Sequence, residues 1–319
     1  MNESGNTPSS AEAMEDLLRA ELAQGDVILA TARPILRHLL AHDEHALFSD
    51  EVIARIRGMM TSLARQLMLE LAKTAAIGDR GAFADERQDE LAVELMEDTA
   101  LLGHAHALII EAQMADRLQH RSGIDPVLSP LMQELAASNE QATAASAMRV
   151  VAAQARFMQQ VRRMEVPLAE LPAELFHKVT SLLDSHGAEH SAAAKETRKR
   201  LRKEFDEGDG RIGQITRLIM AMGKKAQRAL AVDHAGLAIF TTALAMASEQ
   251  DRNVVVLSLG ENQCARLALT LRAAGLGPDA VTEQFLYLHP EVTLPEGFDS
   301  LRVERAIDLL GSTSLDMAN

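Results

Sequence analysis

Aromatic residues are what this sequence has least of: 3% of 319 residues, with no tryptophan, one tyrosine and eight phenylalanines. Strands fill their pleated surfaces with aromatic and β-branched side chains, so the scarcity argues against a β-sandwich or barrel. Cysteine is almost missing as well. A single thiol, Cys264, excludes an intramolecular disulfide and any zinc or iron–sulfur site built on several thiolates. Positive charge is in deficit, with a formal net charge of −14. That excludes a surface that coats nucleic acid throughout, while leaving room for a local basic site. There is no long hydrophobic run: the longest weakly polar stretch, residues 235–247, falls well short of the about 20 apolar residues that span a bilayer. The first ten residues lack the basic start and apolar run of a secretory signal. A lone thiol without an export signal gives the bacterial cytoplasm as the expected location.

What is present is an ordinary globular balance, 47% hydrophobic and 24% charged, arranged with helical periodicity. Met14, Leu17, Leu18, Leu22, Ile28 and Leu29 mark a first helix over 11–31. Pro34 is placed in the first turn of the next, where its missing N–H costs nothing. Ser49-Asp50-Glu51 offers a helix start, and Val52, Ile56, Met59, Leu63, Leu67 and Leu71 follow at spacings of three and four. Asp85 to Arg121 contains no proline and one glycine, so it reads as one long helix or two that meet at Gly103. Leu91, Leu95, Leu102 and Ile109 give it a bundle-like seam. Met148, Val151, Ala155, Met158 and Val161 put another seam on a helix within 139–164.

Pro167 and Pro172 break the chain near residue 170. Ile212, Ile215, Ile219, Met222, Ala226 and Ala229 form a later seam, and shorter pieces follow at 234–249, 251–259, 262–274, 278–288 and 299–310. Val254-Val255-Val256-Leu257 has the composition of a strand. It has no strand to pair with, and Asp251 precedes it as an N-cap, so it reads as a short buried helix. The expected fold is all-α: tails at 1–10 and 312–319, a long-helix bundle over 11–167 and a helical-repeat-like region over 168–311.

Several motifs suggest chemistry by their letters. His38, His42 and His45 share a helix face with Asp43 and Glu44 beside them, a set able to ligate a divalent metal. The doublet His42-Asp43 resembles that of the all-helical HD metal-dependent phosphohydrolases, and such a hydrolase is the alternative reading of the chain. That family also needs a histidine well upstream and an aspartate well downstream. His38 is too close to be the first, and Asp98 or Asp116 fills the second only by assumption. A solvated helix end, where histidines suit the negative pole, explains the cluster without a metal and is the preferred reading. His186-Gly-Ala-Glu189-His190 has the H-x-x-E-H letters of inverted zinc proteases, but it contains a glycine and leads into a charged helix. Glu174 and His177 repeat the E-x-x-H of di-iron bundles without the second copy such a site needs. His104 and His106 stand about 200° apart on their helix and share no ligand face. Gly208-Asp-Gly210-Arg-Ile-Gly213 spells a dinucleotide fingerprint, yet a charged helix rather than a strand precedes it, so it is a turn. Cys264, beside Ala265, Leu267 and Ala268, reads as a core residue. Met59, Met60, Met220 and Met222 fill a core or line an adaptable groove. No catalytic residue, cofactor or metal ligand is assigned.

The feature that carries a functional expectation is a basic stretch: Lys195, Arg198, Lys199, Arg200, Arg202, Lys203, Arg211, Arg217, Lys224, Lys225 and Arg228. These eleven cations stand against five acids, a net of +6, which leaves −20 on the rest of a chain of −14. Arg198 with Arg202, and Lys199 with Lys203, are like-charge pairs one helical turn apart, destabilising unless something offsets them. The expectation is a non-enzymatic helical scaffold or regulatory protein that docks an acidic protein here, its long seams also allowing a homo-oligomer. A solvated face is the competing explanation. Only Phe205 interleaves the cations, so base stacking is poorly served and nucleic acid is not the expected partner.

Five segments carry a resemblance: Asp125-Pro-Val-Leu-Ser-Pro-Leu, Ala153-Gln-Ala-Arg-Phe, Val166-Pro-Leu-Ala-Glu-Leu-Pro-Ala-Glu-Leu, Leu271-Arg-Ala-Ala-Gly-Leu and Gln284-Phe-Leu-Tyr-Leu-His-Pro290. With the surrounding 101–183 and 237–290 they resemble an alphaproteobacterial domain-of-unknown-function family of helical proteins. The resemblance implies a helical, repeat-like fold and no assigned reaction, and it brings no functional residues to this chain.

Overall fold

A computed structural model describes residues 10–41 and 50–312, and among them every regular element is a helix. The chain runs α1 (Ser10–Ala41), α2 (Asp50–Thr74), α3 (Arg80–Met96), α4 (Thr99–Ser122), α5 (Pro130–Ala136), α6 (Gln141–Arg162), α7 (Ala173–Ser181) and α8 (Leu183–His186). It continues with α9 (Ser191–Glu204), α10 (Arg211–Met222), α11 (Val232–Ala235), α12 (Leu237–Ser248), α13 (Arg252–Leu257), α14 (Cys264–Ala273), α15 (Pro278–Leu288) and α16 (Val303–Gly311). The expected tails lie outside the described residues apart from Ser10 and Ser312. The described chain forms two compact units, a central one of residues 32–112 and 134–221 and a terminal one of 10–31, 113–133 and 222–312. Pro167 and Pro172 both lie inside the central unit.

In the central unit the α2 seam is as expected: Val52, Ile56, Met59, Leu63, Leu67 and Leu71 are all buried, each contributing about 1.5–3 kcal/mol by leaving water. α2 packs along α3 and α9. Gln66 on α2 clamps the proline-bounded segment after α6, donating from Nε2 to the Val166 carbonyl at 2.8 Å and accepting from the Leu168 N–H at 3.0 Å. The chain after α6 is therefore a fixed part of this core.

Three local expectations are corrected. The long stretch from Asp85 breaks at Glu97 and Asp98, not at Gly103. Asp98 accepts from the N–H groups of Ala100 and Leu101 at 3.0 and 3.1 Å, a cap that satisfies the donors a new helix leaves open. Gly103 sits within α4, where a Cβ would stand 2.7 Å from Arg33 Nε. The α6 seam holds only in its second half: Met158 and Val161 are buried as expected, whereas Met148 is 56% exposed, Val151 and Ala155 are partly exposed, and Ala147, Val150, Gln154 and Phe157 turn inward. A hydrophobic count misses this because the inward Gln154 is polar and has a buried partner. Finally, Pro34 lies inside α1 and does not begin a new helix.

In the terminal unit, α12 is buried almost all round, as a helix apolar on every face must be. No described helix is long and apolar enough to cross a membrane. Gly236, at φ +73°, opens α12; a Cβ there would also meet the Ser129 Cβ at 2.9 Å, and the Ser129 hydroxyl donates to the Ala235 carbonyl at 2.7 Å. The valine run is helical, as α13, and Asp251 caps it by accepting from Asn253 and Val254 N–H at 2.9 and 3.1 Å. The N-terminal half of α1 is tied in by Gln263 Nε2 donating to the Gly25 carbonyl at 2.8 Å, by an Arg266–Asp26 ion pair and by Arg305–Glu15 at 2.8 Å.

Two histidines couple these cores to pH. Burial pushes His106 on α4 down to about 4. Burial also lowers His289, whose ring is 0% exposed, against the opposing pull of Glu291, 3.7 Å from Nδ1. Both are neutral in the fold near pH 7, whereas unfolded they bind protons as pH falls through about 6.5. The unfolded state then holds more protons, so stability drops between about pH 6.5 and about pH 4, for His106 by about 2–3 kcal/mol. Urea midpoints measured from pH 7 to 4.5 should therefore fall less steeply in His106→Gln than in the wild type; parallel profiles would show that His106 is not a source of the acid sensitivity.

Candidate basic interface

The basic stretch is divided by the fold. Lys195 to Arg217 belong to the central unit, and Lys224, Lys225 and Arg228 to the terminal unit, where they are exposed on a 3-10 turn over Gly223–Leu230. Arg228 donates to His234 Nε2 at 2.9 Å. Arg211 does not belong to any surface: it is 2% exposed. Its guanidinium donates to both Glu111 carboxylate oxygens, at 2.6 and 2.9 Å, and to Gln154 Oε1 at 3.0 Å. It also lies over the Phe157 ring at 3.7 Å. Arg217 turns back on its own loop, to Asp209 at 3.3 Å and the Gly208 carbonyl.

What remains is α9. Ala194 and Thr197 are its buried residues, and this side packs on α2. The flanking arginines are spent inside the fold: Arg198 pairs with Asp184, and Arg200 with Glu70 of α2 at 2.5 Å and Glu204 at 3.3 Å. Glu70 and Glu204 keep the Arg200 guanidinium above its ordinary value. Opposite the buried side, Lys195, Lys199, Arg202 and Lys203 are exposed and fall within an arc of about 100° at 100° per residue. None of the four makes an ion pair with a described residue. Arg202 and Lys203 sit in the last turn, where the helix dipole favours cations, so the helix tolerates their mutual repulsion without a protein counter-charge.

The other motifs are dispersed or committed. His42, Asp43, Glu44 and His45 lie outside the described residues, and His38 is exposed near the end of α1. His186 hydrogen-bonds Glu94 at 2.5 Å, Glu189 pairs with Arg87 at 3.3 Å, and His190 meets the Phe83 ring edge-on at 5.7 Å. The three point at different partners on α3 rather than at one centre. Among the described residues no group of three or more His, Cys, Asp or Glu side chains is placed to hold a metal. Glu174 and His177 are exposed on α7. Gly208 and Gly210 form the turn between α9 and α10, and a Cβ on Gly213 would collide with the Glu207 carbonyl at 2.5 Å, so these glycines serve a tight turn. Of the methionines, Met59 and Met60 are core and Met220 is 67% exposed.

No protein-family model matches the chain, and neither the curated proteins nor the solved structures contain a match.

Proposed function

We propose that this chain is a helical scaffold or regulatory protein that binds an acidic protein partner through the α9 face of Lys195, Lys199, Arg202 and Lys203. The observation that carries the reading is the division of labour on one helix. Arg198 and Arg200 have carboxylate partners within the fold, and the four cations between them on the outward arc have none among the described residues. Unneutralised charge on a rigid element, in a protein of net charge −14, steers an acidic surface to that element while the rest of the molecule repels it. The arc carries no aromatic ring, which disfavours single-stranded nucleic acid.

The test compares three full-length proteins as bait in native lysate, with and without nuclease. They are the wild type, the variant Lys195→Gln, Lys199→Gln, Arg202→Gln, Lys203→Gln, and a control with Lys224→Gln and Lys225→Gln. The wild type and the control should retain the same acidic protein, with affinity at least about tenfold lower in the α9 variant. The difference should shrink as salt shortens the Debye length from about 30 Å at 0.01 M to about 8 Å at 0.15 M. Equal recovery by all three would assign the charge to solvation, and recovery that disappears with nuclease would assign it to nucleic acid.

A further inference from the structure

The terminal unit holds a cavity of about 440 Å³ bounded by α1, α14, α15 and the loop after α15. That volume is in the range of small-molecule sites. Its apolar wall is made by Leu17, Leu18, Ile28, Phe285, Leu294 and Pro295. Leu17 is 46% and Ile28 39% exposed, so hydrophobic surface on α1 is open to solvent where the cavity opens. The charged part of the lining is acidic: Glu21 and Glu261 line it and are exposed, and Gln24, Asn262 and Thr293 add neutral polar groups. None of the lining residues is basic. Arg117 reaches Glu261 only loosely, at 3.8 Å, and Glu21 makes no ion pair with a described residue.

Cys264 reports the field in the cavity wall. It was expected in the core, but it is half-buried as the first residue of α14, donating from Sγ to the Glu261 carbonyl at 3.2 Å. Burial pushes its thiol up, and the carboxylates of Glu21, Glu291 and Glu261 push it in the same direction. Glu21 and Glu261 from the lining, with Glu291 outside it, thus act on one point of a hollow whose remaining wall is part apolar and part neutral polar. An anionic ligand would be repelled there, and a neutral one would leave the carboxylates to water. A ligand with an apolar body and a positive end satisfies both halves of the lining.

We infer that this cavity binds an organic cation, an ammonium group on an apolar body, with the body against Leu18, Ile28, Phe285 and Leu294 and the ammonium at Glu21 and Glu261. The apolar wall supplies burial and the carboxylates supply selection by charge. This site is separate in sequence and in residues from the α9 face, and neither reading depends on the other.

The chain's single cysteine makes the test site-specific. The full-length protein is titrated by calorimetry with 2-phenylethylammonium, cyclohexylammonium, 2-phenylethanol and 3-phenylpropanoate. Alkylation of Cys264 by iodoacetamide, which is neutral, is timed in parallel. The ammonium ions should bind and slow alkylation about tenfold at about ten times their Kd, as simple occupancy requires. The alcohol should bind at least about tenfold more weakly, and the carboxylate not measurably. Glu21→Gln should weaken the ammonium ions toward the alcohol and leave the alcohol unchanged. Absence of heat and protection with both ammonium ions would overturn the inference, as would equal binding of the alcohol or heat without protection of Cys264.

Discussion

Arg211→Met is expected to lower stability by about 3–5 kcal/mol, the cost of stranding one partner of a buried ion pair. Glu111 and Arg211 are 1% and 2% exposed, and their bidentate contact at 2.6 and 2.9 Å is completed by Gln154. Methionine keeps the volume and the contact with Phe157 but removes the guanidinium that gives the buried Glu111 carboxylate two charged donors. The companion Glu111→Leu should cost a similar amount by stranding the guanidinium. The double variant is the decisive case: with both charges gone, the core should recover most of the loss, because an apolar pair of similar size is often as stable as a buried ion pair. Far-ultraviolet circular dichroism in urea measures all three, since the chain has no tryptophan to follow. Additive losses in the double variant would mean that packing, not charge pairing, sets the cost.

Arg272→Met, in the terminal unit, should cost about 2–4 kcal/mol. Arg272 is 8% exposed and donates from Nε to the Leu301 carbonyl at 3.1 Å, with its remaining contacts on the Leu301 and Leu276 carbonyls. One guanidinium therefore fixes both the exit from α14 and the entry to α16. Hydrogen bonds from a charged group are worth about 1.5–3 kcal/mol each, and the two carbonyls would be left without their donor. Arg272→Lys should recover only part of the loss, because a single ammonium cannot reproduce the planar fork. Full recovery by lysine in the same urea experiment would reduce the role of Arg272 to its charge.

The α2 seam and the α13 helix were legible because each depends on local rules: apolar residues three and four apart, and an aspartate positioned to accept two N–H groups. The break between α3 and α4 is equally local, set by the Asp98 cap rather than by Gly103, which a helix interior accommodates. On α6 the seam is legible at Met158 and Val161 but not in the first half of the helix. Gln154 looks like a surface residue until Arg211, 57 positions later, is found beside it. The basic stretch shows the same limit from the other side: eleven cations are visible in sequence, but their division into buried, paired and outward groups is not. The cavity was not legible at all. Glu21, Glu261 and Cys264 have no spacing that marks them as neighbours, and Cys264 in sequence resembles any small core residue.

The amino-acid sequence by itself determined that this protein is all-α and where its strongest seams lie, because helix periodicity, capping and the want of aromatic residues act over a few residues at a time. Only the tertiary structure decided which cations face outward, why Arg211 faces inward and that Glu21 and Glu261, far apart in the chain, line one partly apolar hollow. Each of those depends on which carboxylate the packing of helices far apart in the chain brings to which side chain, and burial then fixes whether that charge is neutralised, stranded or left for a partner.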